Sequence, residues 1–189
     1  MGLDLNSILT DARKLLKERT DSLMKDVRYC ILRNKGTPDW PAPFPALLYC
    51  FATIDLLGSL YGGDAKSPID ISGRTLKYMV NIMMYPEEKA ELLQKVFRHK
   101  IVHLAQPKPI SNINGKRYLW YYEHNNRNIH LNIESTGQEK EFWFRISIWS
   151  LVEDIVDSVF KPNGYLHCLE NDSKLQSNFK KSYSEIYEV

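Results

Sequence analysis

The chain has 189 residues, of which 43% are hydrophobic and 25% charged, the proportions of a globular protein, so a disordered or fibrous chain is excluded. Its formal net charge of +2 is close to neutral, and a nucleic-acid partner would therefore need a local basic patch. A chain of this length forms one domain by default and can bury a sizeable core without disulfides.

The cysteines and the apolar runs bear on where the protein works. Cys30, Cys50 and Cys168 are far apart and odd in number, which predicts free, buried thiols in a reducing compartment. No apolar run reaches the roughly 18 residues that a membrane span requires. The first residues are amphipathic and charged, unlike a cleavable signal. We therefore expect a soluble, cytoplasmic protein with no membrane contact.

Two helices are predicted in the first third of the chain. Apolar residues recur at three- and four-residue spacing over 3–31, which predicts one long amphipathic helix. Residues 36–45 contain four prolines and predict an extended connector, with a ligand-binding Pro-rich segment as the alternative. Residues 45–61 are apolar on nearly every face, as in a central core helix. Asp55 within it must be paired or hydrogen-bonded, either structurally or as a partner of an active site.

Two more helices follow. Ser72 is expected to cap a third helix over 73–84, with its methionines in the core. Pro86 suits the first position of a fourth helix over 87–104, where apolar residues keep a period near 3.6.

The apolar period then changes to two, which indicates strands. Three such stretches predict a three-stranded antiparallel meander at 118–122, 129–134 and 142–149. The pattern Ser150-x-x-Glu153 resembles a capping box that starts a short helix to residue 160. A last helix is expected from Asp172 or Ser173 to Tyr187.

These elements predict an α+β fold that is mainly α. A bundle of about four helices is followed by the meander and by one or two C-terminal helices. We expect a single domain over 1–189, with a helical core at 1–110 and the meander with its C-terminal helices at 111–189.

The densest chemistry lies in Phe97-Arg98-His99-Lys100-Ile101-Val102-His103, near the end of the fourth predicted helix. On an α-helix Arg98 and His103 are about 140° apart, so their side chains can converge on one pocket, while His99 and His103 share a face. A histidine that exchanges protons near neutral pH, beside a permanent cation, suits phosphoryl chemistry. The histidine can move protons and the guanidinium can hold an anionic phosphate.

Other interpretations of this stretch stay open. Basic residues are common at helix C-termini because the helix dipole favours them there, without any chemistry. His99 and His103 at helical spacing could supply two zinc ligands, although Lys100 stands where the metalloprotease motif needs Glu. Further histidines that could complete a structural zinc site are His124, His130 and His167. The sequence has no G-x-S-x-G, P-loop or G-x-G-x-x-G.

Residues Arg98 to His103 resemble the R-x4-6-H motif of the HEPN superfamily (higher eukaryotes and prokaryotes nucleotide-binding domains), in which a polar residue, here His99, follows the arginine. The segments Ile54-Asp55-Leu56-Leu57-Gly58 and Pro107-Lys108 are similar to those of a bacterial group of uncharacterised HEPN-like proteins. The resemblance covers roughly residues 1–110. It implies a four- or five-helix bundle with the motif late in its last main helix.

The resemblance implies a metal-independent endoribonuclease, toxin or defence related, that cleaves RNA phosphodiesters without a cofactor. His103 would be the general acid/base, Arg98 would hold the scissile phosphate, and His99 would orient the substrate or Arg98. The other residues carried over are the substrate-binding Lys100 and Lys108 and the supporting Asp55.

The resemblance also implies partners. Such sites are commonly composite, which implies a homodimer through the helix that carries Arg98 and His103, with RNA as substrate and an antitoxin-type protein as a further partner. If RNA binds there, Lys116 and Arg117 are expected to line the same cleft.

The alternative is a non-catalytic HEPN-like module for RNA binding, protein interaction or dimerisation. The near-neutral charge favours it, because a nuclease usually shows a clearer basic surface. Aromatic residues on the predicted strands could stack bases or dock a protein: Trp120, Tyr122, Trp143 and Trp149.

Overall fold

The computed structural model describes residues 5–31, 42–67, 69–98, 101 and 110–188. It confirms an α+β fold that is mainly helical. The sheet of the described residues has four strands and is mixed. The connector predicted at 36–45 lies outside the described residues as far as residue 41.

The described helices are α1 Leu5–Ile31, α2 Pro43–Gly62, α3 Ile71–Asn81, α4 Glu87–Leu92, α5 Ile148–Phe160, α6 Tyr165–Asn171 and α7 Ser173–Tyr187. A π-helical segment, Leu93–Arg98, continues α4 directly, and a single 3-10 turn covers Arg127–Ile129. The strands are β1 Ile110–Ile113, β2 Lys116–Glu123, β3 Asn132–Ser135 and β4 Glu141–Ser147.

The first two helices agree with the apolar pattern. The three- and four-residue stripe of α1 is buried at Ala12, Leu16, Leu23 and Val27. By length and composition alone α2 could cross a membrane, but 50% of its most apolar window is buried inside the protein, which favours a core helix.

The third helix begins earlier than predicted, and Asp70 caps it instead of Ser72. Asp70 has a positive φ of 59°, which Asp tolerates, and its side chain accepts a hydrogen bond from the Gly73 amide. The helix ends at Asn81, so Met84 falls beyond it and is exposed, contrary to the predicted core position.

The chain forms two compact units, each built from separate stretches of sequence. One unit contains residues 1–23, 52–86 and 154–189, and the other contains 24–51 and 87–153. The division of a single domain at residue 110 stays a prediction.

The described residues of the first unit form helices and turns, and buried hydroxyls and tyrosine rings pack these helices together. The Tyr78 hydroxyl lies 2.8 Å from Ser158 Oγ, and both are buried. The rings of Tyr61, Tyr78 and Tyr165 contact one another edge to face, with centroids 6.0–6.4 Å apart. Burial raises the pKa of the Tyr78 hydroxyl, because the phenolate would be desolvated.

Helices α2 and α3 approach closely at Gly58. A Cβ at this position would lie 2.9 Å from Thr75 Cα, so the glycine permits the contact. Next to it the Thr75 hydroxyl lies 2.7 Å from Asp55 Oδ1, which provides a hydrogen-bond partner for the one carboxylate of α2.

The second unit contains the sheet. The prediction of a three-stranded antiparallel meander is wrong, because the sheet has four strands and is mixed. The strand order is β1-β2-β4-β3, with β2 and β4 parallel and the outer pairs antiparallel. The residues between β2 and β3 form hydrogen bonds with Ser147 at the end of β4. The Asn126 amide donates to Ser147 Oγ, and the Ser147 amide donates to His130 Nδ1. This connection carries β3 past β4, whereas a tight turn would leave it beside β2.

One face of the sheet is apolar and is covered by the helix that leads to Arg98. The register places Trp120 and Phe144 side by side on this face. Phe97 is fully buried against both, with ring centroids 6.4 and 5.9 Å away. On the other face Arg145 pairs with Glu134 at 2.8 Å and lies over the Tyr121 ring, so that face mixes charged and aromatic side chains.

The C-terminal part departs from the prediction at two points. Helix α5 starts at Ile148, because Ser147 Oγ already accepts the Ser150 amide, so the predicted capping box at Ser150 and Glu153 does not start it. Helix α6 was not predicted. The last helix begins at Ser173 as expected, capped by Asp172 through the amides of residues 174 and 175.

All three cysteines are free thiols, as predicted, but only Cys50 is buried, while Cys30 and Cys168 are half-buried. Burial raises the pKa of the Cys50 thiol and keeps it unreactive.

Candidate functional site

Arg98 is the one predicted catalytic residue within the described part of the chain. It is half-buried and ends the π-helical segment, immediately after the buried Phe97. The phenylalanine fixes this turn against the sheet, so the position of the arginine backbone is set by core packing rather than by a loop.

The other predicted site residues on this stretch, His99, Lys100, His103 and Lys108, lie outside the described residues. Whether they converge with Arg98 stays a prediction.

The turn that leads into Arg98 is π-helical rather than α-helical. A π-helix has hydrogen bonds from residue i to i+5 and a wider turn than an α-helix. The π-helical turn ends at Arg98, so it does not set the separation of Arg98 and His103, which stays a prediction. Such segments are rare and often occur at functional sites, because the wider turn turns a side chain away from the α-helical face.

Asp55 was predicted to support Arg98 or His103. Its observed partner within its own unit is the Thr75 hydroxyl, whose oxygen also lies 2.8 Å from the Ile71 carbonyl. Asp55 and Arg98 belong to different units, and the supporting role stays a prediction.

Lys116 and Arg117 were expected to line an RNA cleft, and both are paired with carboxylates. Lys116 Nζ lies 3.5 Å from Glu88, and Arg117 Nε lies 3.1 Å from the buried Glu141. Both basic side chains are about half exposed, so water screens these pairs and a phosphate could compete for them.

The aromatic residues of β2 form a stack on the apolar face of the sheet, which we call the ring ladder: Trp120, Tyr122 and His124. Trp120 and Tyr122 stack with centroids 5.9 Å apart, and Tyr122 and His124 follow at 6.3 Å. Phe97 touches the first ring of this ladder, so the residue before Arg98 and the ladder belong to one packed cluster.

A cleft of about 330 Å³ opens at the far end of the ring ladder, and we call it the α1–α5 cleft. Trp149 and His124 are its half-buried rings, and Ile31 is a buried part of its wall. Arg28 is exposed at its edge and forms no ion pair with any described residue. The first turn of α5 is held there because the Trp149 amide donates to the His124 carbonyl.

A larger and more polar cleft, about 700 Å³, lies in the helical unit around Arg74. Its three carboxylates are already engaged in the fold: Asp64 by Arg74, and Asp70 and Asp172 as helix caps. The guanidinium is held in turn by the Ser67 carbonyl at 2.8 Å. This cleft therefore consists largely of groups that fix the helix ends.

The zinc interpretation gains no support from the described residues, among which no three His, Cys, Asp or Glu side chains are grouped to hold a metal ion. His130 accepts a backbone hydrogen bond through Nδ1, and His124 stacks on Tyr122.

Comparisons of the chain with known protein families, curated proteins and solved structures found no match. Arg28 and Asn125 were not singled out from the sequence, since neither belongs to a motif. The signal that could have found the cleft is the alternation Trp120-x-Tyr122-x-His124, which places three rings on one face of a strand.

Proposed function

We propose that this chain is a metal-independent endoribonuclease, in which Arg98 holds the scissile phosphate of RNA and His103 moves protons. The observation that carries the proposal is the position of Arg98, half-buried at the last residue of a π-helical turn that the buried Phe97 anchors to the sheet. A guanidinium on such a rigid support needs little reorganisation to hold charge that develops on a phosphate.

The reaction is transesterification at phosphorus. The ribose 2′-oxygen forms a bond to phosphorus as its proton leaves, and the bond from phosphorus to the 5′-oxygen breaks as that oxygen gains a proton. The products are a 2′,3′-cyclic phosphate and a 5′-hydroxyl. A histidine can serve either proton transfer, and an arginine can bind two phosphate oxygens at once.

The further roles follow from the resemblance to HEPN proteins. His99 orients the substrate or Arg98, and Lys100 and Lys108 bind the RNA backbone. We propose a homodimer through the helix that carries Arg98 and His103, which would bring two copies of the motif together.

The test is cleavage of single-stranded RNA in EDTA by the full chain. Arg98→Ala should lower the rate by about 100-fold or more, the usual cost of removing one charge-stabilising donor. His103→Ala should lower it by about 100- to 10,000-fold, the usual contribution of a general acid or base.

Lys95→Ala is the matched control, because Lys95 lies on the same π-helical segment but pairs with Glu91 at 2.7 Å. Its rate should stay within about twofold of wild type, as expected for a screened surface pair. DNA of the same sequence should not be cleaved, since it lacks the 2′-hydroxyl. RNA binding without cleavage by wild type would favour the non-catalytic module instead, and full cleavage by His103→Ala would refute the assigned role.

A further inference from the structure

The α1–α5 cleft has the dimensions of a small-ligand site. Its 330 Å³ is within the range of about 300–1,000 Å³ found for pockets that take small molecules. Three elements of the same unit converge on it: the end of α1, the residues after β2 and the first turn of α5.

The walls of the cleft suit a planar ring. Trp149 and His124 are half-buried, with Ile31 as an apolar wall beside them. His124 cannot turn freely, because it stacks on Tyr122, which stacks on Trp120. A base that packs against a ring already held in place loses little freedom beyond its own.

The charge at the edge of the cleft suits an anion. Arg28 forms no ion pair with the described residues, and none of the described lining residues is a carboxylate. A guanidinium binds phosphate in a two-point geometry, and the Asn125 amide beside it can both donate and accept hydrogen bonds at the edge of a base.

From this geometry we infer that the α1–α5 cleft binds one base of single-stranded RNA and the phosphate next to it. The inference rests on the proposed function, since it makes the cleft a subsite for the same substrate. The cleft lies about 13 Å along β2 from Trp120, the ring that contacts Phe97, which precedes Arg98. The cleft and Arg98 therefore lie in the same unit of the chain.

The test measures binding without cleavage. The full chain carrying His103→Ala is titrated with a labelled single-stranded oligoribonucleotide of about 12 nucleotides, a length that one binding fold can cover. Fluorescence anisotropy gives the dissociation constant, and tryptophan emission reports stacking on the indole.

Adding Trp149→Ala should weaken binding by about 5- to 150-fold, which corresponds to the loss of one stacked base. Trp149→Phe keeps a ring and should keep affinity within about threefold. Arg28→Ala should weaken binding and reduce the slope of log affinity against log salt by about 0.7, as expected when one phosphate contact to a single strand is lost.

Arg19→Ala is the matched control: the same residue type is exposed on the same helix, outside the cleft, and should bind as the parent does. Because Arg28 is exposed, its replacement leaves the fold intact even if Trp149→Ala does not fold. Unchanged affinity in Arg28→Ala, or an equal loss in Arg19→Ala, would overturn the inference.

The two proposals can fail separately. If wild type cleaves RNA in EDTA but the cleft variants bind normally, the cleft is not an RNA subsite and the nuclease stands. If the cleft variants lose binding while wild type cleaves nothing, the cleft stands and the nuclease does not.

Discussion

Replacing Gly58 with alanine tests the close approach of α2 and α3. In an ordinary helix the change stabilises by about 0.8–1.0 kcal/mol, because alanine is the better helix former. Here the added Cβ would lie 2.9 Å from Thr75 Cα and 3.0 Å from its backbone nitrogen. These are backbone atoms, so no side-chain rotation can relieve the contact.

The expected loss of stability follows from how far this 2.9 Å contact falls short of a normal carbon–carbon distance. Carbon atoms normally pack about 3.5–4.0 Å apart, so the helices would have to separate by about 0.6 Å or more. Forcing an extra carbon into a packed interior costs about 1–3 kcal/mol. The separation would also stretch the hydrogen bond from Thr75 to Asp55. Less the gain of about 1 kcal/mol in helix propensity, we expect Gly58→Ala to lower the free energy of unfolding by about 0–2 kcal/mol instead of raising it.

The assay is urea unfolding, with Ala52→Gly as the matched control. Ala52 is exposed on the same helix, so its replacement measures helix propensity alone and should cost about 1 kcal/mol. If Gly58→Ala instead stabilises the protein by about what Ala52→Gly costs, the two helices do not approach as described.

Three further predictions use the same unfolding assay. Phe97→Ala should lower the free energy of unfolding by about 3–5 kcal/mol, because the ring is fully buried. Phe160 is 46% exposed, so Phe160→Ala should cost less than half as much, and equal costs would contradict the described packing of Phe97. Because burial raises the pKa of the Tyr78 hydroxyl, stability should be intact below about pH 10 and fall above it, since the unfolded chain then releases a proton that the folded chain retains. Tyr78→Phe should flatten this fall, and a wild-type stability that alkali does not change would refute the prediction. Asp172→Ala should cost about 1 kcal/mol through its lost amide bonds. Asp157→Ala, exposed in the last turn of α5, should change stability by less than about 0.5 kcal/mol, and a neutral Asp172→Ala would exclude the cap.

The helices that the sequence predicts well are those with a long, regular apolar pattern. Helix α1 repeats its stripe over seven turns, and α2 is apolar enough to be identified as core. Helix α6 was missed, since only Tyr165 and Leu169 are buried in its seven residues and two positions do not define a period.

The sheet shows that an alternating apolar pattern does not determine the order of the strands. Period-two patterns located β2 and β4, whereas the second predicted strand overlaps β3 only over 132–134 and begins in the 3-10 turn. Strand order depends on how the chain crosses between the strands. The crossing is fixed by the bonds of Asn126 and His130 to Ser147, which no local pattern encodes. Trp149 was predicted in a strand, yet Ser147 already caps a helix there.

The chemistry of the candidate site stays a prediction from the sequence, and its geometry was predictable only in part. The residue types of the motif indicated phosphoryl chemistry, and the structure places Arg98 on a packed helix. The π-helical turn was not predicted, because the apolar residues Leu93, Val96 and Phe97 also satisfy an α-helical period. The α1–α5 cleft joins residues far apart in sequence, and such a convergence becomes visible only in the fold.

The most direct test of the central claim compares RNA cleavage by wild type and by His103→Ala, both in EDTA, with the product ends analysed. The account predicts that wild type yields 2′,3′-cyclic phosphate and 5′-hydroxyl ends, and that the variant loses about 100-fold or more of the rate. Cleavage that EDTA abolishes, or that His103→Ala retains in full, would contradict it.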